Sequence, residues 1–397
     1  MENSKAKAFP LMPLLLLVGI FYLNFISRVI LAPLLPVIEG DLGIGHGEAG
    51  SLFLYIAGGY SVGLLGCGFV SSRLSHRRTI LLSTVTMGLA MLAISRSASI
   101  EGIHGGLVLI GFFAGLYLPC GIATITGLCT KEQWGKALSF HEMGPNLGFI
   151  TAPLLSEVLL RFFSWRGGLA AVGFVQIFMG VLFFLAGKGG REKGAPPHLR
   201  AMHGIIKRPA FWIMVVLFIT SIGASMGVYA VMPLFMVSEI GLAREFANLL
   251  IGLSRAFGIV VFFAWGLISN RVSPQNALIL FLSANALLTI LMGFFPGPVA
   301  TSVILFLQTA AVACLFVINF TILSLTFAAD LRAIAVSLVI FIGMILGGGA
   351  LPAGIGYWAE AFSFSSGFIL LGLFFLSALI LFFRFRKDLD ISPKSDG

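Results

Sequence analysis

Residues 187–210 read GKGGREKGAPPHLRAMHGIIKRPA. This is the only long polar interruption in a greasy chain, and it falls near the midpoint. Lys188, Arg191, Lys193, Arg200, Lys207 and Arg208 face a single acid, Glu192. The glycines and prolines forbid a stable helix through the first half of the stretch. A loop this basic between apolar runs reads as cytoplasmic by the positive-inside rule, so it orients everything on either side.

The rest of the chain explains why a loop should matter so much. Of 397 residues, 58% are hydrophobic and 10% charged, and the mean hydropathy is +1.03. No soluble domain buries that much apolar surface, so the solvent is lipid. The net charge of +9 does not indicate a nucleic-acid partner, because the Lys and Arg residues sit in short loops between apolar runs, where they set topology. Cys67, Cys120, Cys129 and Cys314 lie in or at the ends of apolar runs at no metal-ligand spacing. They read as small core residues, with neither disulfides nor a metal or other cofactor implied. The N-terminus MENSKAKAFP precedes an apolar run too long for a signal-peptide core, so it reads as retained.

Apolar runs of spanning length fall at 14–36, 49–70, 80–94 with its flanks, 105–126, 138–160 and 168–186, then at 211–237, 246–268, 277–295, 302–327, 337–356 and 368–383. The expected fold is an all-α membrane protein with twelve transmembrane helices in two six-helix bundles, residues 1–186 and 211–397, joined by a basic cytoplasmic linker at 187–210. Both termini are then cytoplasmic. Charge placement agrees with this. Only Arg96, Arg161, Arg166 and Arg244 fall on the opposite side, and Arg28 and Arg255 inside helices, which leaves 19 of the 25 basic residues cytoplasmic.

The bundles repeat at an offset of 198 residues. DLGIGHGEAGSL from Asp41 falls on EIGLAREFANLL from Glu239, and GFVSSRLS from Gly68 on GLISNRVS from Gly266. KALS from Lys136 falls on IAVS from Ile334. Because six helices is an even number, both bundles start on the same side, and the repeat axis runs along the membrane normal.

Two six-helix halves, a basic central loop and a G-x-x-x-D-R-x-G-R-R-type loop between helices 2 and 3 resemble the major facilitator superfamily. Gly68, Arg73, Arg77 and Arg78 match that loop, and Gly266 and Arg271 match its second copy. The sequence departs at Ser72, where the family usually has Asp, and at Ser75, where it usually has Gly. In the family that Asp helps latch the cytoplasmic gate. The resemblance implies a secondary transporter working by alternating access.

Arg28 and Arg255 are the residues that need explaining. An arginine at the centre of a spanning helix costs about 2.5–3.5 kcal/mol on insertion scales, so it usually faces inward and functions. Arg28 lies ~12 Å deep from Pro36 and Arg255 ~14 Å from Phe246, counting 1.5 Å per residue. Two guanidinium forks facing one cavity suit a carboxylate or phosphate. The plainer reading is that each snorkels outward or bonds carbonyls of a neighbouring helix. Tyr22, Arg28 and Leu35-Pro36 followed by Asp41-Leu-Gly resemble helix 1 of the organic-anion branches of the superfamily, where an arginine contacts the substrate's acid group. Proton-coupled members often carry an acid before that arginine; here it is Ser27. Asn24 shares the face of Arg28, and Ser221 and Ser225 have the same spacing in helix 7. Such small polar pairs serve equally as interhelical glue.

Helix 5 begins SFHEMGPN from Ser139. Glu142 is the candidate proton carrier, because desolvation raises a carboxyl toward neutrality, and His141 is the titratable group beside it. Both also read as wetted end-of-helix residues. Gly144, Pro145 and Gly148 give a partial match to the helix-5 antiporter motif of drug exporters, and Gly347–Gly349 read as packing glycines. Trp165-Arg166 reads as an interfacial anchor.

Together these features describe a monomeric carrier of a small anionic solute in a bacterial inner membrane, coupled to protons or running as an exchanger. Arg28 and Arg255 are its anion contacts, and Asn24, Tyr117, Asn146, Tyr229 and Asn319 line its cavity. An exporter of drugs or other hydrophobic compounds is the alternative. A membrane enzyme would need clustered chemistry, and the six histidines are scattered.

Overall fold

The computed structural model describes residues 9–196 and 199–385, and every regular element among them is helical. In lipid a spanning backbone must satisfy its own N–H and C=O groups, which the helix does within one segment. Twelve helices are long and apolar enough to cross a membrane: α1 (Leu11–Leu42), α2 (His46–Arg73), α3 (His76–Arg96), α4 (Ile100–Leu128), α5 (Lys131–Phe162), α6 (Trp165–Ala186), α7 (Pro209–Glu239), α8 (Arg244–Ile268), α9 (Pro274–Phe294), α10 (Pro298–Thr326), α11 (Ile334–Ala361) and α12 (Phe364–Phe385). They match the apolar runs one for one. Most extend past them, because polar first and last turns continue the helix beyond the apolar stretch. Lys5, Lys7, Arg386, Lys387 and Lys394, part of the expected cytoplasmic charge, lie outside the described residues.

The loop serines start the helices. Ser75 accepts from the amide of Arg78 at 3.4 Å, and its counterpart at the 198-residue offset, Ser273, accepts from Asn276 at 3.3 Å. Both act as N-caps, for α3 and α9. The serine found where the superfamily usually has glycine therefore has a structural task of its own. Ser99 and Ser164 do the same for α4 and α6.

Two compact units account for the chain, one built from residues 1–31 and 55–197, the other from 32–54 and 198–397. In the first, α2 and α4 cross on glycine. A Cβ on Gly59 or Gly63 would strike the backbone of Val108 or Phe112, and one on Gly111 or Gly115 would strike that of Ile56 or Tyr60. Gly88 and Gly173 meet likewise between α3 and α6. Small residues four apart let backbones approach where lipid supplies no hydrophobic drive. The first part of the basic stretch is tied down in this unit. Arg77 and His76 donate backbone N–H groups to Gly190 and Glu192 at 2.6 and 3.0 Å, and Gly194 donates to Ser71 at 3.0 Å. Gly189 and Gly190 supply the positive φ angles, 80° and 67°, that this return needs. Trp165 is buried beneath the Arg166 guanidinium, 4.3 Å from its ring centre, so it packs inward and is not exposed as an interfacial anchor would be.

In the second unit, α7 and α11 approach through one π-helical turn each, Gly223–Gly227 and Met344–Ala350. Gly347 sits against the Ile219 carbonyl and the Gly223 amide, leaving no room for a side chain. Glu239, at the end of α7, accepts from the Phe364 and Ser365 amides at 2.6 and 3.1 Å and so caps α12. At the start of α2, Gly47 donates to Glu360 at 2.9 Å, while His46 pairs with Glu39 at 2.8 Å.

Candidate functional site

Arg28 lies just before a break in α1. Pro33 has no N–H for the Val29 carbonyl, and the helix loosens at Ile30. The side chain is buried, at 6% exposure. Its guanidinium carbon lies 4.6 Å from the ring centre of Tyr60 on α2 and 5.0 Å from that of Phe25. Nε has no hydrogen-bond acceptor, and no carboxylate pairs with the group among the described residues. Aromatic faces steady a cation but satisfy none of its five N–H donors. Arg28 is thus a buried fork with its bonding capacity unspent.

Arg255 on α8 is held differently. It is half-buried, 5.0 Å from the ring centre of Tyr229, and donates to the Ser225 carbonyl at 2.7 Å and to Ser225 Oγ at 3.4 Å. Ser225 lies in the π-helical turn of α7. Arg255 thus bonds to a residue of a wider-than-α turn. The carbonyl-bonding alternative is therefore realised at Arg255 and not at Arg28.

The two pairs share a layout. At the 198-residue offset Arg28 falls on Met226, one turn before Tyr229, and Arg255 falls on Ala57, one turn before Tyr60. In the first half the arginine comes from the first helix and the tyrosine from the second. In the other half the roles are exchanged.

The remaining candidates divide into ties and exposed groups. Asn24 donates to the Ala114 carbonyl at 3.3 Å and to Met87 Sδ at 3.4 Å, joining α1 to α4 and α3. Asn319 donates to Leu217 at 3.0 Å and to Ser221 at 2.5 Å, joining α10 to α7. Both are interhelical ties, each with a buried side-chain oxygen left over. Asn146 is exposed and bonds back to the Glu142 carbonyl at 2.9 Å. Tyr117 and His141 share a 2.9 Å hydrogen bond in the interior of the first unit, and Glu142 beside them is exposed. Gly144 and Gly148 seat α5 on α1, against the backbone of Tyr22 and the ring of Phe25. In the loop motif, Arg77 donates to the Phe184 carbonyl at 2.6 Å, closing the end of α6, whereas Arg73, Arg78 and Arg271 are exposed. Gly68 and Gly266 lie in the last turns of α2 and α8. Sequence reading did not find the Phe25–Arg28–Tyr60 cage; an aromatic three positions before the arginine was its only local sign.

Among the described residues no three His, Cys, Asp or Glu side chains converge as metal ligands would. The four cysteines are buried and form no disulfide.

Comparison with known proteins agrees with this architecture. The chain is 22% identical over 378 residues to the cis,cis-muconate transport protein of Acinetobacter baylyi, which spans 90% of this chain and 89% of that protein. It is 28% identical over 154 residues to the peptide transporter YePEPT of Yersinia enterocolitica, a match that spans 37% of this chain but only 30% of that protein. A bacterial homologue of the human lysosomal transporter Spinster, in an inward-facing and unoccupied conformation, superposes with a TM-score of 0.85 over 99% of this chain and 100% of that one, at 15% identity, a likeness of fold. The profile of the Major Facilitator Superfamily matches residues 17–345. Twelve spanning helices, the paired loop motif and this match make the chain a multi-pass integral membrane transporter, not an enzyme, and a member of the Major Facilitator Superfamily.

Proposed function

We propose that the protein carries a small organic anion across the cytoplasmic membrane of a bacterium by alternating access, working as a monomer with both termini in the cytoplasm. The observation that carries this reading is the Arg28 fork, buried between Phe25 and Tyr60 with no acid among the described residues to neutralise it. Keeping an unpaired charge at that depth is expensive, and an incoming carboxylate repays it by a two-point, charge-assisted contact. The rings beside it favour a carboxylate on a flat or apolar body. Resemblance to a muconate transport protein over nine-tenths of the chain supports the same class. Arg255, already bonded to the α7 backbone, has less to offer an anion. Transport is coupled to protons through His141 and Glu142. The exporter alternative has against it that the buried charges here are cations, which repel lipophilic cations.

The test is ligand-dependent thermal stability of the purified protein with cis,cis-muconate, benzoate, inorganic phosphate and tetraphenylphosphonium. A ligand stabilises the state it binds by RT ln(1 + [L]/Kd). Stabilisation by a carboxylate, lost in Arg28→Ala, supports the proposal. Stabilisation by the phosphonium alone overturns it.

A further inference from the structure

We propose that His141 is the proton-accepting group of this transporter, set by Tyr117 in the one tautomer that leaves Nδ1 open, with Glu142 as its link to water. This deepens the proton-coupled reading above and rests on it.

Hydrogen-bond direction fixes the tautomer. The Tyr117 hydroxyl is 2.7 Å from the Leu17 carbonyl, which can only accept, so the single phenolic proton points there. The same oxygen is 2.9 Å from His141 Nε2 and must therefore accept from it. Neutral His141 thus carries its proton on Nε2, and Nδ1 is a bare lone pair. That nitrogen is buried and has no hydrogen-bond partner. Its nearest anion is the Glu142 carboxylate at 3.8 Å, whose side chain is 56% exposed.

The ring is otherwise locked. Phe21 stacks on it at 4.4 Å between centres, tilted by 10°, and Tyr117 lies 5.8 Å away. Pro145 has no N–H to give the His141 carbonyl, so α5 breaks at Glu142. That break carries adjacent residues to opposite environments, His141 inward and Glu142 out. Tyr117 on α4 and Glu142 on its own helix are the ionisable groups against the ring, with Cys120 on α4 near Tyr117 and Tyr60 on α2 near Glu142; α1 contributes Phe21, and the Leu17 carbonyl behind Tyr117.

The transfer balances simply. A hydronium ion gives its proton to the Glu142 carboxylate and leaves as water; the proton then passes to Nδ1, forming the N–H bond as the carboxyl O–H breaks. The products are an imidazolium, still donating from Nε2 to Tyr117, and a carboxylate beside it. Tyr60, on which Arg28 stacks, lies within electrostatic reach of Glu142. The proton site and the anion fork therefore share Tyr60 as a neighbour.

The experiment is solid-state 15N NMR of the full-length protein, histidine-labelled, in lipid bilayers, with the His141 signal identified by its loss in His141→Asn. Among six histidines, this one should show unprotonated Nδ1 and protonated Nε2 when neutral and become imidazolium on acidification. In Tyr117→Phe the neutral form should become a mixture of tautomers, and in Glu142→Gln protonation should require a lower pH. A neutral ring protonated on Nδ1, or one that stays neutral on acidification, overturns the assignment. A correct NMR signature together with muconate uptake into proteoliposomes indifferent to an imposed pH gradient would instead overturn the coupling reading and leave the proton site in place.

Discussion

The Arg28 guanidinium lies 4.6 Å above the ring of Tyr60, and that ring is the nearest thing it has to a counter-charge. A π face offers about 0.5–2 kcal/mol to a desolvated cation, far less than a carboxylate would. The group is kept charged and underpaid, and this makes its substitutions informative. Arg28→Lys retains the charge but not the planar fork. It should weaken carboxylate binding by about ten- to a hundred-fold, the value of one charge-assisted hydrogen bond of roughly 1.5–3 kcal/mol. Titration calorimetry with the best carboxylate of the thermal screen measures this, and wild-type affinity in the lysine variant would remove Arg28 from the site.

Arg28→Met should leave the empty protein as stable as before or raise its melting temperature. The variant trades an unpaired buried charge for packing of similar volume, and such exchanges are neutral or stabilising. Arg255→Met should do the opposite. It removes the two hydrogen bonds that Arg255 donates to Ser225 in the π-helical turn. A hydrogen bond to a charged group contributes about 1.5–3 kcal/mol. Thermal unfolding of both variants without ligand separates a binding arginine from a bracing one, and equal destabilisation would contradict the distinction drawn between them.

Tyr60 offers a finer test. Tyr60→Phe keeps the π face under Arg28 and should bind carboxylates within a few-fold of wild type. Tyr60→Leu removes it and should cost about 0.5–2 kcal/mol of affinity. Equal behaviour of the two would mean that the ring serves only as packing.

Much of this was legible in the residues. The basic stretch at 187–210 and the 198-residue offset yielded twelve helices and the paired loop motif, because lipid permits so few backbone solutions that hydropathy nearly determines them. Arg28 was legible for the same reason, since a charge in an apolar run has few explanations. What each polar group touches was not legible. Asn24 and Asn319 turned out to be ties between helices, and Arg255 bonds a carbonyl in a π-helical turn of α7 that no composition announces. The α2–α4 crossing was in fact written in the sequence, as Gly59-x-x-x-Gly63 and Gly111-x-x-x-Gly115, but small residues spaced by four do not name their partner. His141 shows the limit most sharply. Its adjacency to Glu142 was visible, yet its role depends on Tyr117, 24 positions away, and on which atom a single phenolic proton faces.

The glycine crossing makes its own prediction. Gly63→Val and Gly111→Val each place a branched side chain against the backbone of the facing helix, at Phe112 and Ile56. Backbone cannot step aside as a flexible side chain can, so each should destabilise by about 1–3 kcal/mol or prevent folding. Gly58→Ala is the control, since nothing lies within 4 Å of the added carbon. Fluorescence-detected size exclusion should show loss of the monodisperse peak for the valine variants alone.

Sidedness follows from charge and can be measured without any substrate. The native cysteines are buried, so single cysteines placed at exposed loop positions report alone. Lys193→Cys lies in the basic stretch, tied by its neighbours to the loop between α2 and α3, and Ala243→Cys lies in the short loop between α7 and α8. If the basic loops face the cytoplasm, a membrane-impermeant maleimide should label Ala243→Cys in intact cells and Lys193→Cys only in inverted vesicles. The reverse pattern would turn the protein over, placing the expected cytoplasmic gate motif outside. It would also put Glu142, in the first part of α5 on the same side as Arg77, in contact with the external medium. A proton reaching His141 through Glu142 would then come from the external medium.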